Sequence, residues 1–436
     1  MPAIHSTLTS LFTDIANAIR SKTGDTGQIR AEAFPSAIQS LPTGSTTVSG
    51  TLSIDTTGIY SVFSYESVSV SVSAQDLFYA KVQNGLSQTV FEDSTLTNIN
   101  SGAFADYSTI KVFSFPNVTT VGEGAFWANS ASEYNIPKLT SIGNRAFTLA
   151  SISEAIFPSC SSIGISAFMQ CSYLTAVSFS GTLTEIPSYA FSQCTRLTSI
   201  DTSNVVSIGS AAFRGCSSLL ELNTSNVTSV GQYAFCDCRK LRNITLSNLT
   251  SLESCLFWSC YSLSNVVVPN ITNVAPSVFR ICSSLSSIDL SKCTEIGYQA
   301  FYGAGIVNVN FSQLTKLSSM AFVNCKSLTA VTLPKLSVLS ARTFESCNNL
   351  GYASFAAVSI INTSCFKYCY NLLSLYLTST ALVSLPNVNA FLSTPISDYT
   401  TSTGGVYGSV YVPASLYSQY IAATNWVTYS NRIVSI

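Results

Sequence analysis

Charge is what this chain of 436 residues has least of. Asp, Glu, Lys and Arg together make up 9% of it, against roughly 25% in an average soluble domain. Twenty Lys and Arg oppose 21 Asp and Glu, so no basic field exists to hold nucleic acid or an anionic membrane. Histidine occurs once, as His5 at the extreme N-terminus. Without a second imidazole, a Ser-His-Asp or Cys-His arrangement has nothing to take up a proton near neutral pH. Zinc sites that mix His with Cys lack ligands for the same reason. No apolar run approaches the roughly 18 residues of a membrane-spanning helix, so no membrane insertion is expected. A secretory signal is missing too: Met1-Pro2-Ala3-Ile4-His5 has no basic start, and Asp14 interrupts Leu11-Phe12-Thr13 before an apolar stretch develops. The expectation is a chain that stays in the cytoplasm of its producer or leaves by assembly into a particle or by another route, and a binding or structural protein without metal or cofactor.

What is present is repetition. Phenylalanines recur at Phe104, Phe126, Phe147, Phe168, Phe191, Phe213, Phe235, Phe257, Phe279, Phe301, Phe322, Phe344 and Phe366, in twelve intervals of 21–23 residues that span 262 residues. Within a unit such as 219–235, apolar residues mark two short extended segments, one centred on Leu222 and one over 227–230. Gly231 follows, and the unit ends in Ala234-Phe235. Apolar and polar residues alternate in the first segment, as in a half-buried strand. Strands this short do not stand alone, so each coil must bury its apolar side against its neighbours. The expected fold is a repeat solenoid of about 13 coils of roughly 22 residues, stacked at the strand spacing of about 4.8 Å.

The pattern L-x-x-I-x-L-(P/S)-N-(V/L)-T-S-(I/V)-G-x-x-A-F-x-x-C-x-x-L resembles the leucine-rich repeats of BspA-like, Treponema pallidum type, surface proteins over about residues 95–380. That resemblance implies a right-handed leucine-rich-repeat spiral with a parallel β-sheet on its concave face. It also implies adhesion or recognition, with no catalytic residue to carry over.

Nine of the fourteen cysteines (Cys171, Cys194, Cys216, Cys238, Cys260, Cys282, Cys325, Cys347 and Cys369) lie three residues after the repeat Phe. Stacking would line them up with parallel Cβ vectors, whereas a disulfide needs those vectors turned toward each other. Small buried thiols suit such a slot, and disulfides or a metal remain as alternatives. Tyr107, Asn129, Ala150 and Ala304 fill the slot in other coils. Sequons such as Asn117-Val118-Thr119, Asn226-Val227-Thr228 and Asn270-Ile271-Thr272 belong to the repeat itself, so their Asn reads as a backbone cap in a turn rather than a glycosylation site.

The ends differ from the repeats. In residues 1–44, Ile4, Leu8, Leu11, Ile15 and Ala18 follow a 4-3-4-3 spacing that predicts an amphipathic helix, with a second over 31–41. Two heptads are too few to stand alone, so Leu8, Leu11 and Ile15 must pack on that second helix or on other copies of the chain, as in a homotrimer. Residues 45–74 alternate and predict a hairpin-like strand pair. The segments 14–24, 31–35 and 58–62 resemble N-terminal modules of phage and prophage tail proteins of gut Firmicutes, which implies attachment to other virion proteins. From 381 to 436 a cap is expected. The step to Phe391 is 25 residues, and Tyr411, Tyr420, Trp426 and Tyr429 suit a module that covers the last coil, or alternatively an aromatic sugar-binding cluster.

Residues beside the inward Ile or Leu of each first strand must face outward, and they form a nearly uncharged polar ladder. The candidate binding residues on it are Asp201, Glu221, Asn223, Asn243, Asn265, Asp289, Asn308, Asn310, Tyr352 and Tyr376. Amides, carboxylates and stacking rings suit a neutral glycan or a polar protein surface on a host cell. Three roles fit: a tail-associated virion protein that recognises its host, a BspA-like adhesin of the bacterial surface, and a virion decoration with no ligand.

Overall fold

The computed structural model describes residues 89–179, 183–397 and 407–436, together with two short strands, Ser53–Ile54 and Tyr60–Ser61. These two pair antiparallel, with Ile54 opposite Tyr60, inside the segment expected to form a hairpin-like pair. The expected helices of residues 1–44, with Leu8, Leu11 and Ile15, lie outside the described residues, as does the alternating stretch 65–73. The chain divides into two units, residues 1–96 with 109–114, and residues 97–108 with 115–436. In the first unit, Val90–Glu92 and Val112–Ser114 pair in parallel, and Phe91 meets Phe113 with ring centroids 6.1 Å apart.

The second unit is a parallel β-solenoid whose coils are bonded to each other along three lines. First strands pair one coil apart, as in Asn243↔Asn265, Ile244↔Val266 and Thr245↔Val267. The longest such sheet runs through Asn308–Asn310, Ala330–Thr332, Tyr352–Phe355, Ser374–Leu377, Ser409–Val412 and Ile433–Ser435. Second strands, mostly a polar residue followed by an aliphatic one, form a second column, as in Ser207–Ile208 between Glu185–Ile186 and Ser229–Val230. The third line is the turn that carries the Phe. There the Phe235 N–H donates to the Leu256 carbonyl at 3.1 Å, and Phe257 to Val278 at 2.9 Å.

Two left-handed residues bracket each repeat Phe from Phe104 to Phe366 and aim it inward. Tyr233 and Asp237 flank Phe235 with φ of 58° and 59°, and Ser277 and Ile281 flank Phe279 with 58° and 62°. The rings then stack without a break from Phe104 to Phe391, with centroids 5.1–5.9 Å apart and planes within 23° of parallel. Parallel offset rings at this spacing gain about 0.5–1.5 kcal/mol per pair beyond their burial. Phe391 is therefore the next rung of the ladder, despite its irregular step in the sequence.

The repeat glycine is selected by space rather than by its backbone angles. Gly164 has no left-handed φ, but a Cβ there would lie 2.4 Å from the Asn144 nitrogen of the coil before. Close approach of two backbones is what excludes a side chain.

Beyond the repeats, Ser409–Val412 and Ile433–Ser435 prolong the sheet, and a short helix, Tyr417–Ala422, lies between them. Trp426 donates its indole N–H to the Val383 carbonyl at 2.7 Å, and Tyr429 meets Phe391 edge-on at 5.4 Å. Tyr420, Trp426 and Tyr429 are buried, so they close the end of the Phe ladder and do not form an exposed sugar-binding cluster.

Candidate binding face

The interior is fully committed to packing. Each of the nine ladder cysteines donates its thiol to the carbonyl of the repeat Phe one coil earlier, from Cys171 to Phe147 at 2.9 Å through Cys260 to Phe235 at 3.0 Å to Cys369 to Phe344 at 3.1 Å. Asn129 occupies the same slot and does the same, donating Nδ2 to the Phe104 carbonyl at 2.8 Å. Its Oδ1 accepts from the Ala131 N–H and the Tyr134 hydroxyl. Ten coils thus fill the slot with a donor, whereas Ala150 and Ala304 fill it with a buried methyl group. Burial pushes the thiols of Cys194, Cys238 and Cys260 up, which holds them protonated.

Three sequon asparagines cap backbone one coil away rather than within their own turn, while Asn117 accepts from the Lys138 ammonium. Asn226, Asn248 and Asn270 donate to the carbonyls of Ser203, Ser225 and Ser247 at 2.6–2.9 Å. Threonines beside them continue the bonding: Thr272 donates to Thr250, Thr294 to Thr272 and Thr315 to Thr294, each at 3.2 Å.

Outward positions of the first strands form a long polar column open to solvent, as do the polar positions of the second strands. Asn243, Asn265, Asn308, Asn310 and Tyr352 stand on it as expected, all exposed, with Tyr376 half-buried. Strand pairing puts Asn243 beside Asn265, and places Asn308, Ala330, Tyr352, Ser374 and Ser409 in one row. Tyr376 belongs to the adjacent row, with Asn310, Thr332, Ser354 and Tyr411.

Asp201, Glu221, Asn223 and Asp289 are exposed, but they do not sit on strands. Asp201 accepts from the Ser203 N–H at 2.9 Å, Asn223 from Ser225 at 3.1 Å and Asp289 from Ser291 at 2.9 Å. Such Asx turns compete with ladder bonding and end the extended segment. Threonine hydroxyls then take over the link between coils, with Thr202 donating to the Asn223 carbonyl at 2.6 Å and Thr224 to the Thr245 carbonyl. Leu222, expected at the centre of a strand, is only half-buried in irregular chain. The bond from Ser291 also holds the Asp289 carboxyl below the ordinary carboxylate range.

Charge divides the column. Glu133, Glu154, Asp201, Glu221 and Asp289 stand at outward positions up to residue 289, and no Lys or Arg does. From Asn308 to Tyr411 the outward positions carry no charge. In the acidic part, Glu133–Asn135 and Glu154–Phe157 belong to separate sheets, although Ser153 still bonds to Ser132 and Ser159 to Pro137. A cleft of about 520 Å³ lies there, lined by Glu133, Asn135, Glu154 and the exposed Ile156.

Two features escaped the sequence reading. Tyr411, assigned to the cap, stacks on Tyr376 with centroids 4.4 Å apart, and Tyr376 meets Tyr352 at 5.4 Å. On the turns, Arg280 lies over the rings of Trp258 and Tyr302, 5.5 and 4.3 Å from their centroids. Among the described residues no group of three or more metal-ligating side chains gathers, and no helix is long and apolar enough to cross a membrane.

The BspA type leucine rich repeat profile matches residues 74–160, 140–226, 220–329 and 294–405, which together run from 74 to 405. The chain belongs to that family. As a BspA-type repeat protein, it shares its fold with a leucine-rich repeat protein from Bacteroides ovatus, 23% identical with a TM-score of 0.53 over 66% of this chain and 78% of that one. Similarity extends to the pneumococcal vaccine antigen PcpA, 16% identical with a TM-score of 0.47 over 81% of this chain and 90% of that one. A leucine-rich cell surface protein from Faecalibacterium prausnitzii is 20% identical, with a TM-score of 0.36 over 69% and 78%. No curated protein matches the chain.

Proposed function

We propose that this protein is a non-enzymatic recognition protein that binds a cell-surface glycan or protein along the outward column of its first strands. One observation carries the reading. The Phe and Cys ladders are buried between coils, whereas the column holds amides, hydroxyls and rings at a regular spacing, open to solvent. Periodic, exposed and electrically mild, such a surface meets an extended ligand at many points, as solenoid faces do. Membership of the BspA-type repeat family supports the same role.

The protein is carried on a phage or prophage tail by residues 1–44, through contact with other virion proteins and with copies of itself as a homotrimer. That part rests on the resemblance of segments 14–24, 31–35 and 58–62 to tail modules. The second reading, an adhesin on the bacterial surface, is favoured by the repeat family itself.

Fluorescently labelled full-length chain is to be mixed with a panel of gut bacterial and epithelial cells and followed by flow cytometry. Saturable binding to at least one cell type is expected, lost when Asn243 and Asn265 are both changed to Lys. Absence of binding to every cell type points to a decoration protein instead. Immunogold labelling of induced particles and of intact producer cells separates the tail from the envelope.

A further inference from the structure

Building on the reading that the column holds a ligand, we propose that its uncharged end, from Asn308 to Tyr411, is a subsite for a neutral saccharide, with Tyr352 as the stacking platform. The rings there are not equivalent. Tyr411 and Tyr376 lie nearly parallel, 12° apart with centroids 4.4 Å from each other, so each covers a face of the other. Tyr352 is tilted 40° from Tyr376 and is 40% exposed. Its neighbours in the same row are Ala330 and Ser374. Toward the coil of Ala330 the ring is bordered by a methyl group, which leaves a shelf beside one aromatic face.

Polar groups surround that shelf. Asn308 lies beyond Ala330 in the row of Tyr352, two strands away, and Asn310, Thr332 and Ser354 follow one another in the adjacent row. Asn308 is already oriented, its Oδ1 accepting from the Thr329 hydroxyl at 3.1 Å. A pyranose fits this chemistry: its weakly positive C–H groups pack on the negative face of the ring, and its hydroxyls exchange hydrogen bonds with amides and hydroxyls. An anionic polymer finds no cation at these positions, and a basic partner is drawn instead to the carboxylates of the earlier coils. Tyr411 acts as a positioning residue. It comes from a strand beyond the repeats and holds Tyr376 upright behind the platform, so the cap completes the site that it borders.

The test is a glycan array of neutral, sialylated and sulfated oligosaccharides probed with the full-length protein, followed by titration of the best neutral ligand. Binding to neutral saccharides is expected. Tyr352→Ala should weaken it about tenfold, the value of roughly one stacking contact. Ala330→Leu, which fills the shelf, should do the same, and Tyr189→Ala, an exposed turn tyrosine, should change nothing. Unchanged binding by Tyr352→Ala with an intact circular-dichroism spectrum, or binding of charged glycans alone, overturns the proposal. Cell binding that no neutral saccharide competes away removes this subsite and leaves the recognition role standing. Failure to bind cells at all removes both.

Discussion

Raising the pH from 7.5 to 9.5 is expected to unfold the repeats. Burial pushes the thiols of Cys171, Cys194, Cys216, Cys238, Cys260, Cys282, Cys347 and Cys369 above the ordinary range. In the unfolded chain a cysteine loses its proton near pH 8.5. The folded value lies above the unfolded one, so the stabilisation is complete below about pH 8.5 and falls away as the pH climbs toward the folded value. One pH unit above the unfolded value, each thiol favours the unfolded chain by about 1.4 kcal/mol. Eight of them come to about 11 kcal/mol, comparable with the whole stability of about 5–15 kcal/mol typical of a domain. Circular dichroism and thiolate absorbance at about 240 nm, recorded together in reducing buffer at intervals of half a pH unit, read both sides of this linkage. The two signals should change in one step, with the melting temperature already falling at pH 9. Thiolate absorbance that rises near pH 8.5 while the fold persists would show that the thiols are open to water, and would refute the buried donor ladder.

Other predictions concern single contacts. Cys260→Ala removes one thiol donor and leaves a small cavity, for an expected loss of about 1–2 kcal/mol in denaturant unfolding. Asn129→Ala should cost more, about 2–4 kcal/mol, because the Ala131 N–H, the Tyr134 hydroxyl and the Phe104 carbonyl all lose a partner at once. Equal losses in the two variants would mean that volume alone decides the slot. Gly164→Ala forces a Cβ to within 2.4 Å of the Asn144 nitrogen and is expected to destabilise by about 1–3 kcal/mol, although Ala is ordinarily the better residue outside left-handed positions. A neutral or stabilising result there contradicts the close backbone approach.

Most of the fold was legible because a stacked coil writes its contacts into the period. The recurrence of Phe at 21–23 residues is the Phe ladder itself, and the register of Asn243 with Asn265 follows from the same spacing. The purpose of the cysteines was half legible. Their burial follows from their position, but the acceptor is a backbone carbonyl 24–26 residues away, which no side-chain pattern marks. Asn129 carries a partial signal: a side chain able to donate stands where nine coils place a thiol, while Ala150 and Ala304 show that the slot also takes a methyl group. Asp201, Asn223 and Asp289 were placed on strands by alternation alone. Each accepts from the N–H of the serine two positions on, and this local Asx bond stands where the ladder would continue. Tyr411 was missed because the repeat pattern ends before it. Only the sheet pairing beyond the repeats puts it beside Tyr376.

Which side of the molecule meets its ligand is the claim on which the functional account turns. Tyr352 on the sheet column and Tyr189 on a turn are matched probes, 40% and 42% exposed. Each is to be replaced in turn by a photocrosslinking phenylalanine in the full-length protein, bound to cells and irradiated. The account predicts a covalent adduct with surface material from position 352 and none from 189; adducts from 189 alone would place recognition on the turns and contradict it.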